Sequence, residues 1–186
     1  MAVGWEGSKV RLVPLDKGKH YENLLAWLND PDVTAWTLIG DWPFSARTAD
    51  EHFDKADNFE RGGLTLAIEM LDGNHIGIAG IHNIDWRHGT AHTNILIGAK
   101  DRWGCGFGLD AVRLRSQYAF NVLGLRMLLT EVMSENLASL SILHKVGYFE
   151  VGRIPRRYWK RGSYRDVIMM IADRSSWERA SNGLSG

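Results

Sequence analysis

The stretch RWGCGFGLDAVRLRSQYAF, residues 102 to 120, most narrows the folds open to this chain. Three glycines at alternate positions, Gly104, Gly106 and Gly108, precede a run in which Leu109, Val112, Ala119, Phe120 and Leu123 fall on one helical stripe that Gly124 is placed to end. Before the glycines the period is that of strands. LTLAIEM (64–70), the run from His75 to about Ile84 and AHTNILIGA (91–99) are apolar and β-branched, separated by Leu71-Asp72-Gly73-Asn74 and Arg87-His88-Gly89. An antiparallel meander thus runs into a strand–loop–helix junction. With no Cβ atoms in the way, successive N–H groups of such a loop can turn toward one point at a helix N-terminus and hold an anion.

Known glycine loops test this reading. A Walker loop is excluded, because no Gly-Lys-Ser/Thr follows. A dinucleotide fingerprint can be traced from Gly106 through Gly108 to Ala111, with Glu131 about 20 residues on, but a meander rather than a βαβ unit leads into it. A plain glycine-rich turn stays open on the loop alone.

The flanking segments supply the rest of the domain. VRLVP (10–14) alternates as a strand, and HYENLLAWLND (20–30) puts Tyr21, Leu24, Leu25 and Leu28 on one helical face before the turn at Asn29. Thr48 to Ala56 reads as a second helix, and the stretch between, with Trp36, Trp42 and Pro43, as irregular. LRMLLTEV (125–132) is strand-like, Asn136 can cap a helix ending at Gly147, and YFEVGRI (148–154) and YRDVIMMIA (164–172) read as closing strands joined through a basic stretch. One domain over residues 1–175 is expected, with 176–186 a flexible tail because RASNGLSG is small and polar. The 22 basic residues balance the 22 acidic ones, so no overall charge recruits nucleic acid, and no leader or membrane span is expected. A single cysteine permits no internal disulfide and points to the cytoplasm.

The loop and its surroundings resemble the GNAT superfamily of N-acetyltransferases. Trp103-Gly-Cys-Gly106-Phe-Gly108 is similar to the acyl-CoA pyrophosphate loop written Q/R-x-x-G-x-G/A, with Trp103 in the Q/R place as in the branch of ribosomal-protein (RimJ/RimL-type) and spermidine acetyltransferases. AFNVLGLRMLLTEVMSENLASLSILHKVGYFEVG resembles that branch's helix, fifth strand, N-x-x-S helix and Gly-aromatic turn, and GSYRDVIMM its G-x-Y-x-D strand. Residues 64 to 172 are covered. The resemblance implies an α/β (α+β) fold: a mixed, mostly antiparallel sheet of six or seven strands with splayed central strands and about four helices. The implied activity is transfer of acetyl from acetyl-CoA, without a metal, to a primary amine on a small molecule or a peptide N-terminus. A homodimer is compatible with it.

The same resemblance assigns residues. Backbone groups at Ile97, Gly98 and Ala99 would bind the pantetheine arm. Trp103, Gly104, Cys105, Gly106, Phe107 and Gly108 would hold the pyrophosphate, with Arg102, Lys100 or Arg113 meeting the remaining charge. Asn136 and Ser139 would face the cofactor, although both also suit helix capping. The acceptor amine must lose a proton, since a lysine-like amine has a pKa of ~10.4, and Glu131 is the first candidate base. His92, at the start of the fourth strand, is a second, and His82 and Asp85 lie on the acceptor side. Many relatives carry a tyrosine acid where this chain has Leu143; Ser141 or Tyr164 is the substitute. Two other classes stay open: a CoA-binding sensor or scaffold without strong chemistry, and RNA engagement through RIPRRYWKRGSYR (153–165), which equally suits an exposed hairpin.

Overall fold

The computed structural model describes residues 5–56 and 62–182. Seven strands form one sheet in the order β1-β2-β3-β4-β5-β7-β6. They are β1 (Val10–Pro14), β2 (Leu64–Met70), β3 (His75–Asp85), β4 (Thr90–Ile97), β5 (Met127–Met133), β6 (Phe149–Lys160) and β7 (Ser163–Asp173). The helices are α1 (Lys17–Leu28), α2 (Ala46–Ala56), α3 (Phe107–Asn121), α4 (Leu137–Lys145) and α5 (Arg174–Asn182), with a 3-10 turn at Lys100–Arg102. The expected sheet and meander are there. Every strand pair is antiparallel except β4–β5.

Alternating side chains set the layers. One face of the sheet packs Ala91, Leu128 and Val132 against Val112, Ala119 and Phe120 of α3 and Leu143 of α4. A neighbouring cluster joins Val10, Leu12, Ile68 and Ile76 to Ala111 and Leu114, again on α3. The other face is smaller, with Leu24 and Leu28 of α1 and Phe53 of α2 against Ile78.

Two segments depart from the sequence expectation. Much of the segment read as a flexible tail, 176–182, belongs to α5; the rest, 183–186, lies outside the described residues. Asp173 caps α5 by accepting the Ser176 N–H at 2.7 Å, and Trp177 packs on Phe120 with ring centroids 5.2 Å apart. Polarity alone predicts a tail here, and the packing of Trp177 on Phe120 helps to anchor a helix instead. The basic stretch 155–160 is strand rather than connection, so β6 runs on to Lys160 and turns through Arg161 and Gly162, both at positive φ.

Candidate active site

Strands β4 and β5 pair for only three residues, Thr90 with Met127, Ala91 with Leu128 and His92 with Leu129, and then diverge. The result is a fork whose arms are Thr93–Ile97 and Thr130–Met133. Where the ladder ends, its polar groups need other partners. Arg115 of α3, 1% exposed, supplies them: one terminal nitrogen donates to the Asn94 carbonyl at 2.7 Å and the other to the Tyr148 hydroxyl at 3.2 Å. That hydroxyl lies 3.3 Å from Thr93 Oγ1, which itself reaches the Leu129 carbonyl. The Nε of Arg115 has no partner among the described residues. A buried guanidinium thus stands at the root of the fork.

Beyond the open end of β4 comes the glycine loop. Gly104 and Gly106 hold φ of +74° and +84°, a left-handed conformation that costs a residue with a Cβ, and Gly106 is the N-cap of α3. The first N–H groups of α3 therefore have no carbonyl ahead of them in the helix. Gly108 is needed for a different reason: a Cβ there would stand 3.3 Å from Ile142 of α4. The Trp103 indole donates to the Ile97 carbonyl at 2.8 Å and ties the loop to the end of β4. Cys105 is exposed, its Sγ beside the Trp103 carbonyl.

The cations around this loop differ from those expected. Among the described residues Lys9 reaches it, donating to the Cys105 carbonyl at 2.8 Å and lying over the Phe107 ring. It is held there by Asp110 in the first turn of α3, which accepts the N–H of Lys9 at 2.8 Å and of Val10 at 3.0 Å. Nothing in the local sequence links Lys9 to a loop 96 residues away. Lys100 turns away to Asp30 and Asp32, at 2.8 and 3.0 Å, and these carboxylates raise its pKa. Arg102 pairs with its neighbour Asp101 at 3.1 Å. Arg113 lines a shallow depression with Gln117, Trp177 and Ser181 between α3 and α5, not the loop.

Other expected cofactor contacts are committed within the fold. The N–H groups of Gly98 and Ala99 both donate to the Ile76 carbonyl, at 2.9 and 3.2 Å, so the antiparallel neighbour β3 takes them and they do not face the fork. Gly98 is a glycine because a Cβ would run into the Trp27 ring of α1. Asn136 caps α4 by accepting the Ser139 N–H at 3.1 Å, the structural role its sequence also suited.

The fork's other face carries the titratable groups. Because His92 is opposite Leu129, and side chains alternate, Glu131 and the pair His92 and Asn94 share that face across the fork. His82 is directly opposite His92 on β3, and its Nε2 lies 3.2 Å from Asn94 Oδ1. Gly80 makes room for this pair, since a Cβ would meet both side chains. Glu131 is exposed and accepts the Tyr158 hydroxyl at 2.6 Å. Burial and the adjacent Glu131 raise the Tyr158 pKa, so the phenol stays protonated and points the carboxylate. In sequence Tyr158 is one aromatic of the basic stretch 153–165, and nothing local marks it as a partner of Glu131, 27 residues earlier.

Three expected participants lie elsewhere. Asp85 belongs to the β3–β4 turn, where it accepts the N–H and Nδ1 of His88, a pairing that lowers its pKa, at the closed end of the fork. Tyr164 stacks edge-on with Trp159 at 4.9 Å under Arg156. Ser141 is exposed on α4, and Leu143 is 3% exposed in the core.

On the same side as Glu131, a groove of about 640 Å³ opens between the segment after α1 and the β6–β7 hairpin, lined by Leu38, Asp41, Trp42, Tyr158 and Lys160 among others. Among the described residues no three His, Cys, Asp or Glu side chains gather as a metal cluster, and no helix is long and apolar enough to cross a membrane.

Comparison with known proteins agrees with this geometry. The family profile described as an acetyltransferase (GNAT) domain matches residues 9–148. Spermidine N(1)-acetyltransferase of Escherichia coli K12 is 30% identical over 99 residues, and an N-acetyltransferase of Bacillus licheniformis is 33% identical over 95. These alignments span about half of this chain and 53% and 52% of the relatives. Among solved structures, spermidine N-acetyltransferase of Vibrio cholerae in complex with CoA and spermine superposes with a TM-score of 0.83 at 22% identity, covering 92% of this chain and 99% of that one, which shows the shared fold. The glycine loop, the β4–β5 fork and the profile over three quarters of its length place this chain in the GNAT acetyltransferase family.

Proposed function

We propose that this protein is an acetyl-CoA-dependent N-acetyltransferase that acts on a primary amine by direct attack in a ternary complex, within the branch that includes RimJ/RimL-type and spermidine acetyltransferases. The observation that carries the proposal is the joining of two halves: an anion-accepting loop and helix N-terminus at the end of β4, and a carboxylate across the fork from the loop's own strand.

The residues fit acetyl-CoA. Gly104 and Gly106 leave the loop backbone bare, the first amides of α3 face outward with the positive end of the helix dipole, and Lys9 adds a full charge for the pyrophosphate. The pantetheine arm would lie in the fork, where β4 and β5 no longer pair; bound acetyl-CoA supplies the thioester. On the chain's side, Glu131 takes the proton from the incoming ammonium, directly or through water, while Tyr158 fixes the carboxylate's orientation. His82 and His92 border the same opening, with Asn94 Oδ1 3.2 Å from His82 Nε2, and an imidazole there can carry that proton outward. Leu143 supplies no acid, and Ser141 is exposed on α4. A thiol of pKa ~8.5 leaves without full protonation, so a strong acid is not required. The buried charge of Arg115 at the fork's root favours developing negative charge there. Among the described residues the Cys105 thiol is paired with no carboxylate or imidazole that could act as its base, which argues against a nucleophile; a free, exposed thiol suits a reducing cytoplasm.

The core-buried Leu143 at the place of the tyrosine acid keeps one alternative open, a CoA-binding sensor without turnover. Thiol release from acetyl-CoA over a panel of peptide N-termini, polyamines and small monoamines, alongside calorimetric titration of acetyl-CoA, separates the two. Amine-dependent thiol release supports the enzyme, and tight binding with no release over the whole panel supports the sensor.

A further inference from the structure

The groove between the segment following α1 and the β6–β7 hairpin has a charge pattern that bears on the acceptor. It contacts the chemistry directly, because Tyr158 lines it and the same hydroxyl donates to Glu131. Its walls are apolar and aromatic: Leu38 is 60% exposed, Trp42 75% and Trp159 62%. Such side chains pay for their exposure only when something covers them.

The carboxylate of the groove lining is already answered by the protein's own cations. Asp41 is the acidic residue of the groove lining, and its Oδ1 lies 2.7 Å from the nearly buried Nζ of Lys160 and 3.7 Å from Arg161. Lys160 is fixed further by the Ile39 carbonyl at 3.1 Å, and Arg161 by the Pro31 carbonyl and Thr34 Oγ1. Beside the groove, Asp30 and Asp32 are both held by Lys100. The lining therefore carries one more positive charge than negative, and Arg157 lies over the Tyr158 ring next to it. A polyamine would bring a second ammonium, three or four methylenes from the reacting one, toward a lining whose described charges are net positive and whose one carboxylate already has two cationic partners, and desolvating an unpaired charge is costly. A single amine on an aromatic body has no such charge to place, and its ring covers Trp42 and Leu38.

From this we infer that the acceptor is a primary monoamine on an aromatic or bulky apolar body, and that polyamines are disfavoured, in contrast to the relatives named for spermidine. The inference rests on the acetyltransferase reading above and adds the class of acceptor to it.

The test compares 2-phenylethylamine with spermidine as acceptors for the full-length protein, by thiol release and by calorimetric titration of each amine onto the CoA-loaded protein. The expected result is a kcat/KM at least tenfold higher for 2-phenylethylamine. Trp42→Ala should raise the KM for that amine about tenfold and leave the KM for acetyl-CoA within twofold, since Trp42 belongs to the groove lining and not to the glycine loop. A kcat/KM for spermidine equal to or above that for 2-phenylethylamine overturns the acceptor class while leaving acetyl transfer standing. If no amine releases thiol, the enzymatic reading fails, and the titration then decides the groove: Trp42-dependent binding of 2-phenylethylamine supports it, and binding of spermidine alone overturns it.

Discussion

Replacing Gly106 with alanine separates backbone geometry from everything else in the loop. Gly106 sits at φ +84° as the N-cap of α3, and a Cβ built there would have Lys9 Nζ at 3.5 Å as its nearest neighbour, an ordinary contact. No clash is created, so the cost is that of a residue with a Cβ in the left-handed region, ~1–2 kcal/mol. The chain can respond in two ways. If the loop keeps its shape, stability falls by that amount, which for a chain of this length lowers Tm by about 2–8 °C. If the loop relaxes, the amides at the start of α3 swing away from the anion, and at 1.4 kcal/mol per tenfold the KM for acetyl-CoA rises about 5- to 30-fold. Gly124 is the matched control. It has φ +68° with nothing within 4 Å of a built Cβ, and it lies just past the far end of a 15-residue helix, about 22 Å long. Gly124→Ala should therefore cost similar stability and leave the acetyl-CoA KM unchanged. Steady-state kinetics at saturating acceptor, with melting curves for both variants, make the comparison. A Gly106→Ala variant whose acetyl-CoA KM equals the parent's and whose Tm does not fall, so that the loop has relaxed without consequence for the cofactor, would refute the cofactor assignment of the loop.

Three further outcomes are expected. Glu131→Gln should lower kcat by about 100-fold with the acetyl-CoA KM nearly unchanged, and Tyr158→Phe should lower it less, checked by thiol release across pH 6–10. Cys105→Ser should leave kcat within about twofold; a dead variant that still binds acetyl-CoA would restore the thiol as a nucleophile. Stability should fall in acid through a cluster between α1, β2 and β3. Burial, reinforced by His20, pushes His75 down from 6.5 to about 4, so it stays neutral when folded; its contribution is complete above pH 6.5, is lost as pH falls through 4, and amounts to about 3 kcal/mol. Glu69, which burial pushes upward, is held at about 2 by hydrogen bonds from Lys19, His20 and Arg11, so its contribution is complete above pH 4.5 and is lost toward pH 2. Urea unfolding of His75→Gln should lack the decline between pH 6.5 and 4 that the parent shows.

The parts of the fold legible in sequence were those encoded by neighbours in the chain. The two-residue period of β2 to β4, the turn at Asp72–Gly73 and the helical stripe after Gly108 each reflect local geometry, and all appear where expected. The positive φ of Gly104 and Gly106 follows the same logic. What sequence did not show depends on pairs far apart. Lys9 becomes a loop cation only because Asp110 pins β1 to α3, and Tyr158 meets Glu131 because a long β6 carries it there. Lys100 and Arg102 looked suited to phosphate by position, yet acidic partners claim them, one of which lies 70 residues earlier. Nothing in the local sequence sets Arg115 apart from the exposed arginines, yet it is among the most deeply buried side chains described.

The Asp110 clamp has a consequence for how the protein is made. Its acceptor atoms are satisfied by Ser8, Lys9 and Val10, about 100 residues earlier in the chain, so the first turn of α3 cannot reach its final environment until synthesis has passed through it and it has met the segment leading into β1. Closing so long a loop is a late, entropically costly event. The glycine loop then inherits its order from the amino-terminal end: a chain trimmed through Val10 retains every glycine of the loop and loses the contact that holds Lys9 beside it.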